Sequence, residues 1–342
     1  MSKNFWLNLK RPIFALAPMA DVTDAAFRRM FARYGKPDVM FTEFVSTDGL
    51  CSAGRKNLLR EFIYDKIEHP IVAQIWGRNP EHFYESAKLI AKLGFDGIDI
   101  NLGCPQKKEM AQKTCAALIA EPKLVGHIIA ETKRGAGGLP VSVKTRLGIR
   151  QLETERWVGD LLEFQPAAII LHARTVKEMS KVPARWEEVA KAVKLRDKMK
   201  SRTLILGNGD VKSLAEAEAR IAETGCDGVM VGRGAFGNPW FFARQHPNNM
   251  PGIRRSPDTD RDGGGFDVKQ ISVEERLNVM VEHAKLFAQL FFGRKNFTVM
   301  KKHFKAYSSG FSGANELRVQ LMQAHDLTDL EKAVKIFLDT NK

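Results

Sequence analysis

Cysteine is scarce: Cys51, Cys104, Cys115 and Cys226 are the only four in 342 residues, and no two form a C-x-x-C pair. That excludes the usual zinc ribbons and redox dithiols, and scattered thiols fit a reducing compartment. No run approaches the 18 apolar residues that a membrane-spanning helix needs. The opening stretch MSKNFWLNLKRPIFALAPMA lacks the long apolar core and cleavage pattern of a secretory leader. These absences predict a cytoplasmic protein with no membrane partner and no metal centre. Acidic residues are in deficit, 40 against 53 basic, and the net charge of +13 suits a polyanionic partner. A G-x-G-x-x-G turn after the first apolar run is missing as well, which argues against a dinucleotide-binding doubly wound sheet.

What is present is a rhythm. Short runs rich in valine and isoleucine lie at 13–18 (IFALAP), 39–44 (VMFTEF), 71–76 (IVAQIW), 97–102 (GIDINL), 141–146 (VSVKTR), 168–173 (AIILHA), 203–208 (TLILGN) and 228–232 (GVMVG). Most are apolar throughout, as strands buried on both faces are. Amphipathic stretches separate them. Residues 24–35 place Ala26, Phe27, Met30 and Phe31 at helical spacing, 79–94 open on Asn and Pro and stop at Gly94, and 213–225 run from Ser to Gly. Eight strands alternating with helices predict an α/β fold, a (β/α)8 TIM barrel over residues 1–245. Residues 246–271 are dense in Pro, Gly, Asp and Asn and read as a linker or exposed loop. From Ser272 the pattern turns helical, with Ser272 and Glu275 in capping-box spacing, and predicts a small all-α domain over 272–342.

In such a barrel the C-terminal strand ends share one mouth. Those ends carry Pro18 and Met19, Gln74, Asn101 and Cys104, Lys144 and Arg146, His172 and Arg174, Asn208 and Gly209, Gly232 and Arg233. Polar residues interrupt the apolar strands mainly there. GNGDV (207–211) and VGRGAFGNPW (231–240) set glycines where backbone amides approach a phosphate closely, with Arg233 available as a clamp. A phosphate-bearing ligand is therefore expected after the last two strands. Lys144, flanked by valines, has two roles open to it at a barrel mouth: a Schiff base, or stabilisation of negative charge on a cofactor ring. Cys104 sits between Gly103 and Pro105 on a turn rather than inside a strand.

Taken together, LAPMADVTDAAFRRM, AQIWG, IDINLGCP, VSVKTRLG, LHART, LGNGDV and MVGRGAFGNPWFF resemble the dihydrouridine synthase family of flavoproteins, in order along the barrel. MKKHFKAYSSGFSGANELR (300–318) is similar to that family's helical domain. The resemblance implies FMN at the barrel mouth, NADPH as reductant, and reduction of the C5–C6 bond of uridine in tRNA, by a monomer. Pro18 and Met19 would pack on the isoalloxazine, and Gln74 and Lys144 would meet its polar edge. His172, Asn208, Gly209, Gly232 and Arg233 would hold the ribityl phosphate, with Asp210 also among the cofactor-binding residues. Cys104 would protonate C5, with Asn101 beside the uracil and Arg146 and Arg174 on the substrate side. Lys301 and Lys302 head the expected RNA track, with His303, Lys305, Arg318, Lys107, Lys108, Lys177 and Lys181 as further candidates. Ribosomal RNA, or a small molecule reduced by a flavin barrel, are the alternative substrates.

One departure from the family pattern stands out. Thr114 and Cys115 occupy a region that is usually glycine-rich, so Cys115 reads either as a packed residue at a helix start or as a second thiol near the site.

Overall fold

The structure, a computed structural model, describes residues 4–243 and 271–341. The chain forms two compact units: one holds residues up to 23 together with 37–234, and the other holds 24–36 together with 235 onward. The expected linker at 246–271 lies almost wholly outside the described residues.

The first unit is a closed parallel sheet. Its strands are β1 (Ile13–Leu16), β2 (Met40–Phe41), β3 (Val45–Ser46), β4 (Ile71–Trp76), β5 (Gly97–Leu102), β6 (Val141–Arg146), β7 (Ala168–His172), β8 (Leu204–Asn208) and β9 (Gly228–Val231). They pair in the order β1-β9-β8-β7-β6-β5-β4-β2, and an Ala15–Val39 bridge joins the two ends. Two backbone bonds support the closure, Leu16 N to Val39 O at 3.0 Å and Asp38 N to Phe14 O at 2.8 Å. The eight expected strands are all there. The dipeptide β3 is additional and extends the ring along the end of β4, with Val45 opposite Ile75.

Strand register decides which side chains face inward, because successive residues alternate faces. Register partners run Ala15–Met230, Met230–Asn208, Asn208–His172 and His172–Arg146. On the next strands they run Lys144–Asn101, Ser142–Asp99 and Asp99–Gln74. All of these therefore belong to the inward set. Towards the N-terminal ends that set is apolar: Ile13, Val72, Ala168 and Leu204 pack with Phe41, Ile170 and Leu206, and Trp6 from a short N-terminal turn joins the same cluster. Beyond them it is polar at Gln74 on β4, at Asp99 and Asn101 on β5, and at Ser142, Lys144 and Arg146 on β6. Helices cover the outside and carry the expected caps. Asn79 Oδ1 accepts from Glu81 N at 3.0 Å ahead of Pro80, and Ser213 accepts from Glu216 N ahead of a helix closed by Gly225 at φ 70.

The second unit is helical: Ala25–Tyr34, Val273–Phe291, Lys301–Tyr307, Ala314–Gln323 and Leu327–Thr340. Its centre is aromatic. Phe27 lies 5.9 Å from His283 and 5.4 Å from His303, ring centre to ring centre, and the two histidines are 4.8 Å apart. The helix that follows β1 in sequence thus belongs to this unit. Arg33 pairs with Glu282 at 2.5 Å, and the Tyr34 hydroxyl donates to the same carboxylate.

Candidate active site

A cavity of ≈ 470 Å³ opens at the C-terminal ends of β1, β6, β7, β8 and β9. Pro18, Met19, Lys144, His172, Asn208, Gly209, Asp210, Gly232 and Arg233 all line it, nine of the ten positions expected to bind a cofactor. Its size falls in the range of about 300–1,000 Å³ typical of small-molecule sites. One wall is backbone. A Cβ at Gly234 would lie 2.0 Å from the Val211 carbonyl, and one at Gly209 (φ 139) would lie 2.8 Å from Ala184 Cβ. Only glycine lets the turn after β9 press on the turn after β8, and the turn after β8 on the loop after β7, in this way.

Cationic and neutral donors face this wall. Lys144 Nζ donates to Asn208 Oδ1 at 3.2 Å, and Asn208 Nδ2 donates to Met230 O at 2.8 Å. Burial, then the neighbouring Arg146, lowers the Lys144 ammonium to about 8, so it stays mostly charged at neutral pH. His172 is held well below its ordinary value by burial and by the nearby Lys144, Arg146, Arg174 and Arg233, and is neutral. Its Nε2 lies 3.2 Å from Arg174 Nη1, which can only donate. Arg174 also pairs with Asp210, whose other oxygen lies 3.4 Å from Arg233. The Asp210 carboxylate therefore holds both guanidinium groups beside the glycine wall.

Gln74, the tenth position, is absent from the cavity lining. It is fully buried and donates from Nε2 to Asp99 Oδ2 at 2.7 Å, while Ser142 Oγ donates to Asp99 Oδ1 at 2.6 Å. Asn101 Nδ2 donates to Gln74 Oε1 at 3.1 Å, and Asn101 Oδ1 accepts from the amides of Gly103 and Cys104, both at 3.0 Å. A polar chain thus runs from the barrel interior to the backbone of the cysteine turn. Asp99 and Ser142 were not singled out from the sequence. The available signal was an acid inside the otherwise apolar GIDINL strand, and such a group must find partners when buried. Burial, opposed by the Ser142 and Gln74 hydrogen bonds, raises the Asp99 carboxyl to about 6.

Cys104 is 9% exposed at the turn after β5. The Cys115 side chain, against the effect of burial, and then the Gln106 backbone lower its thiol below the ordinary range, with Glu109 and Arg146 in electrostatic range. The thiol also lies within electrostatic range of Lys144, which lines the cavity. Arg146 directs its donors elsewhere: Nε to Gly103 O at 2.9 Å, and Nη1 to Thr175 O and Met179 O, both at 3.0 Å. It ties the cysteine turn to the loop after β7.

The expected RNA-facing residues divide. Lys301 and Lys302 are partly exposed on a helix of the second unit, and Lys107, Lys108, Lys177 and Lys181 are exposed on the barrel. His303 is fully buried and cannot face RNA, because its ring fills the aromatic centre of the helical unit. Arg318 Nη2 donates to Ser308 O at 3.2 Å.

A parallel barrel with a ligand-sized cavity, a buried cation and a perturbed thiol at the strand C-termini defines a TIM-barrel enzyme. Histamine dehydrogenase from Rhizobium sp. 4-9 shares the barrel fold, with a TM-score of 0.50 and 14% identity over 67% of this chain and 44% of that one. The family model described as dihydrouridine synthase (Dus) matches residues 15–341. A "Probable tRNA-dihydrouridine synthase" of Staphylococcus aureus (strain Mu50 / ATCC 700699) is 38% identical over 332 residues, 96% of this chain and 94% of that protein. A "Probable tRNA-dihydrouridine synthase 2" of Bacillus subtilis (strain 168) is 36% identical over 342 residues, 98% and 97% of the two. The chain belongs to the dihydrouridine synthase family.

Proposed function

We propose that this enzyme reduces the C5–C6 double bond of uridines in tRNA, acting as a cytoplasmic monomer with FMN and with NADPH as reductant. The observation that carries the reading is the glycine-walled cavity at β8 and β9 facing Lys144, with the Cys104 thiol in electrostatic range of that lysine. The donor set fits FMN. A wall that a Cβ would fill suits a phosphate, helped by Arg233 and by the amides of Gly209, Gly232 and Gly234. Pro18 and Met19 offer apolar surface to a planar ring.

Bound there, FMN would supply hydride chemistry at C6 of the uracil, with NADPH as the source of the electrons. The residues do the rest. Lys144, charged at neutral pH, would stabilise negative charge on the ring edge. Neutral His172, whose Nε2 accepts from Arg174, would offer its Nδ1–H to the ribityl phosphate. Asn101 fixes the cysteine turn through the Gly103 and Cys104 amides. Cys104 donates its proton to C5, and the resulting thiolate is re-protonated from solvent. A uridine within folded tRNA must leave its stack to reach the cavity, at a cost of roughly a few kcal/mol that contacts to the RNA backbone offset.

The test is purification with FMN, followed by turnover with NADPH on tRNA from cells lacking this gene, with dihydrouridine read by mass spectrometry. Wild type binds FMN and converts the RNA. Cys104→Ala keeps the flavin spectrum and loses about 10²–10⁴-fold in rate, the usual contribution of a positioned acid. Protein that binds no FMN, or conversion of a free pyrimidine but not of tRNA, would overturn the reading.

A further inference from the structure

Asp99 is fully buried inside the barrel, in the middle of β5. A carboxylate there costs desolvation, and an apolar side chain of similar size would fill the space at lower cost. The proposed reaction makes no use of it. Its register neighbours are Gln74 on one side and Ser142 on the other, and two residues further along β5 Asn101 stands opposite Lys144. The carboxylate thus lies one inward layer below Asn101, and Asn101 lies just ahead of the turn that carries Cys104.

The hydrogen bonds between these layers all run in one direction. The amides of Gly103 and Cys104 donate to Asn101 Oδ1, both at 3.0 Å. With its oxygen committed there, Asn101 can offer Gln74 only Nδ2, which donates to Gln74 Oε1 at 3.1 Å. Gln74 in turn has only Nε2 left for position 99, and donates to Asp99 Oδ2 at 2.7 Å. Ser142 Oγ donates to the other carboxylate oxygen at 2.6 Å. The row needs a terminal group that accepts and does not donate, and an ionised carboxylate meets that need. Two side-chain amides that could each be turned over are left with one orientation, and bonds in such a row polarise one another.

We propose that Asp99 is a positioning residue for the cysteine turn: as terminal acceptor of the row it fixes the Gln74 and Asn101 amides, keeps Asn101 Oδ1 on the Gly103 and Cys104 amides, and so holds Cys104 in place for proton transfer. This deepens the proposed function and rests on it. Arg146 grips the same turn at a carbonyl, Gly103 O, while the Asp99 row grips it at two N–H groups. The turn is thereby fixed from both sides.

Hydrogen exchange, read by mass spectrometry with fragmentation to single amides, reports on the turn in full-length protein as purified, without RNA. Asp99→Leu, close in volume but without an acceptor, releases Gln74 and speeds exchange at Gly103 and Cys104 by about three- to tenfold, the scale of one net hydrogen bond. Amides of β8 keep their wild-type rates, which separates this effect from general loosening. Asp99→Asn keeps an oxygen for Gln74, while Ser142 turns its hydroxyl to accept from the new amide, so the turn stays protected; a role through charge alone predicts that Asn fails as Leu does. Gln74→Met cuts the row between Asp99 and Asn101 and frees the same two amides, and it decides the matter if Asp99→Leu does not fold. On tRNA, kcat of Asp99→Leu falls about 10²-fold, the scale of a displaced catalytic group, with a smaller change in KM. Wild-type exchange at Gly103 and Cys104 in Gln74→Met or in folded Asp99→Leu, or exchange in Asp99→Asn as fast as in Asp99→Leu, overturns the proposal. Exchange is measured without turnover, so wild-type protein inactive on tRNA would sink the proposed function and leave the exchange result standing.

Discussion

Arg146 shows how far residue type alone carries. The sequence offers an arginine at a strand end, and a substrate contact is the natural expectation. In the fold its guanidinium bonds to the carbonyls of Gly103, Thr175 and Met179, and burial with Arg174 nearby lowers it to about 10. It faces inward by register, yet its length takes it to the loop layer above. Arg146→Met leaves those carbonyls without their donor and should destabilise the protein by about 2–4 kcal/mol. The cysteine turn should loosen, with a slower reaction while FMN is retained. Thermal unfolding together with the flavin spectrum checks this, and an unchanged melting temperature would deny the clamp. Gln74 teaches the same lesson: a strand-end amide was legible, but its partners Asp99 and Asn101 lie 25 and 27 residues away and appear only once β4 and β5 are paired.

At the scale of elements, the strands were legible because parallel strands buried on both faces are apolar throughout, and caps and glycines mark the helices between them. What stayed hidden was membership. Residues 24–36 read as the first barrel helix, yet they share a compact unit with residues beyond 235, because Phe27 and Tyr34 find His283, His303 and Glu282 some 250 positions later. That centre makes the helical unit acid-sensitive. Neither ring nitrogen of His283 or of His303 has a hydrogen-bond partner. Burial lowers His283 to about 3; burial, then His283 and Lys302, hold His303 well below its usual value. Both are neutral when folded and gain protons near pH 6.5 when unfolded, so their contribution is whole above about pH 6.5 and is lost as pH falls towards 3. Each removes up to about 1.4 kcal/mol per pH unit in that window. Urea titrations at successive pH values should show the loss, and His283→Leu should reduce its slope by one proton. A slope identical to that of wild type would mean that His283 takes up its proton in the folded state as well.

For the molecule as a whole, the charge of +13 was plain from composition, but composition cannot say which cations face outward. His303 lies between exposure-prone lysines in KKHFK and is nonetheless enclosed, whereas Lys301, Lys302, Lys107, Lys108, Lys177 and Lys181 keep solvent contact. If these lysines meet tRNA phosphates, each contact releases condensed counterions, and log affinity falls linearly with log salt, by about 0.7–0.9 per contact. Binding of tRNA measured from low to moderate salt should therefore give a slope of several units. Lys301→Glu with Lys302→Glu should lower that slope by about two contacts while leaving FMN uptake unchanged, because neither lysine lines the cavity. A slope that stays the same in the double variant would move the RNA track to the lysines of the barrel unit. A slope near zero in wild type would remove the electrostatic ground for a polynucleotide substrate, and with it the functional sense of the basic excess.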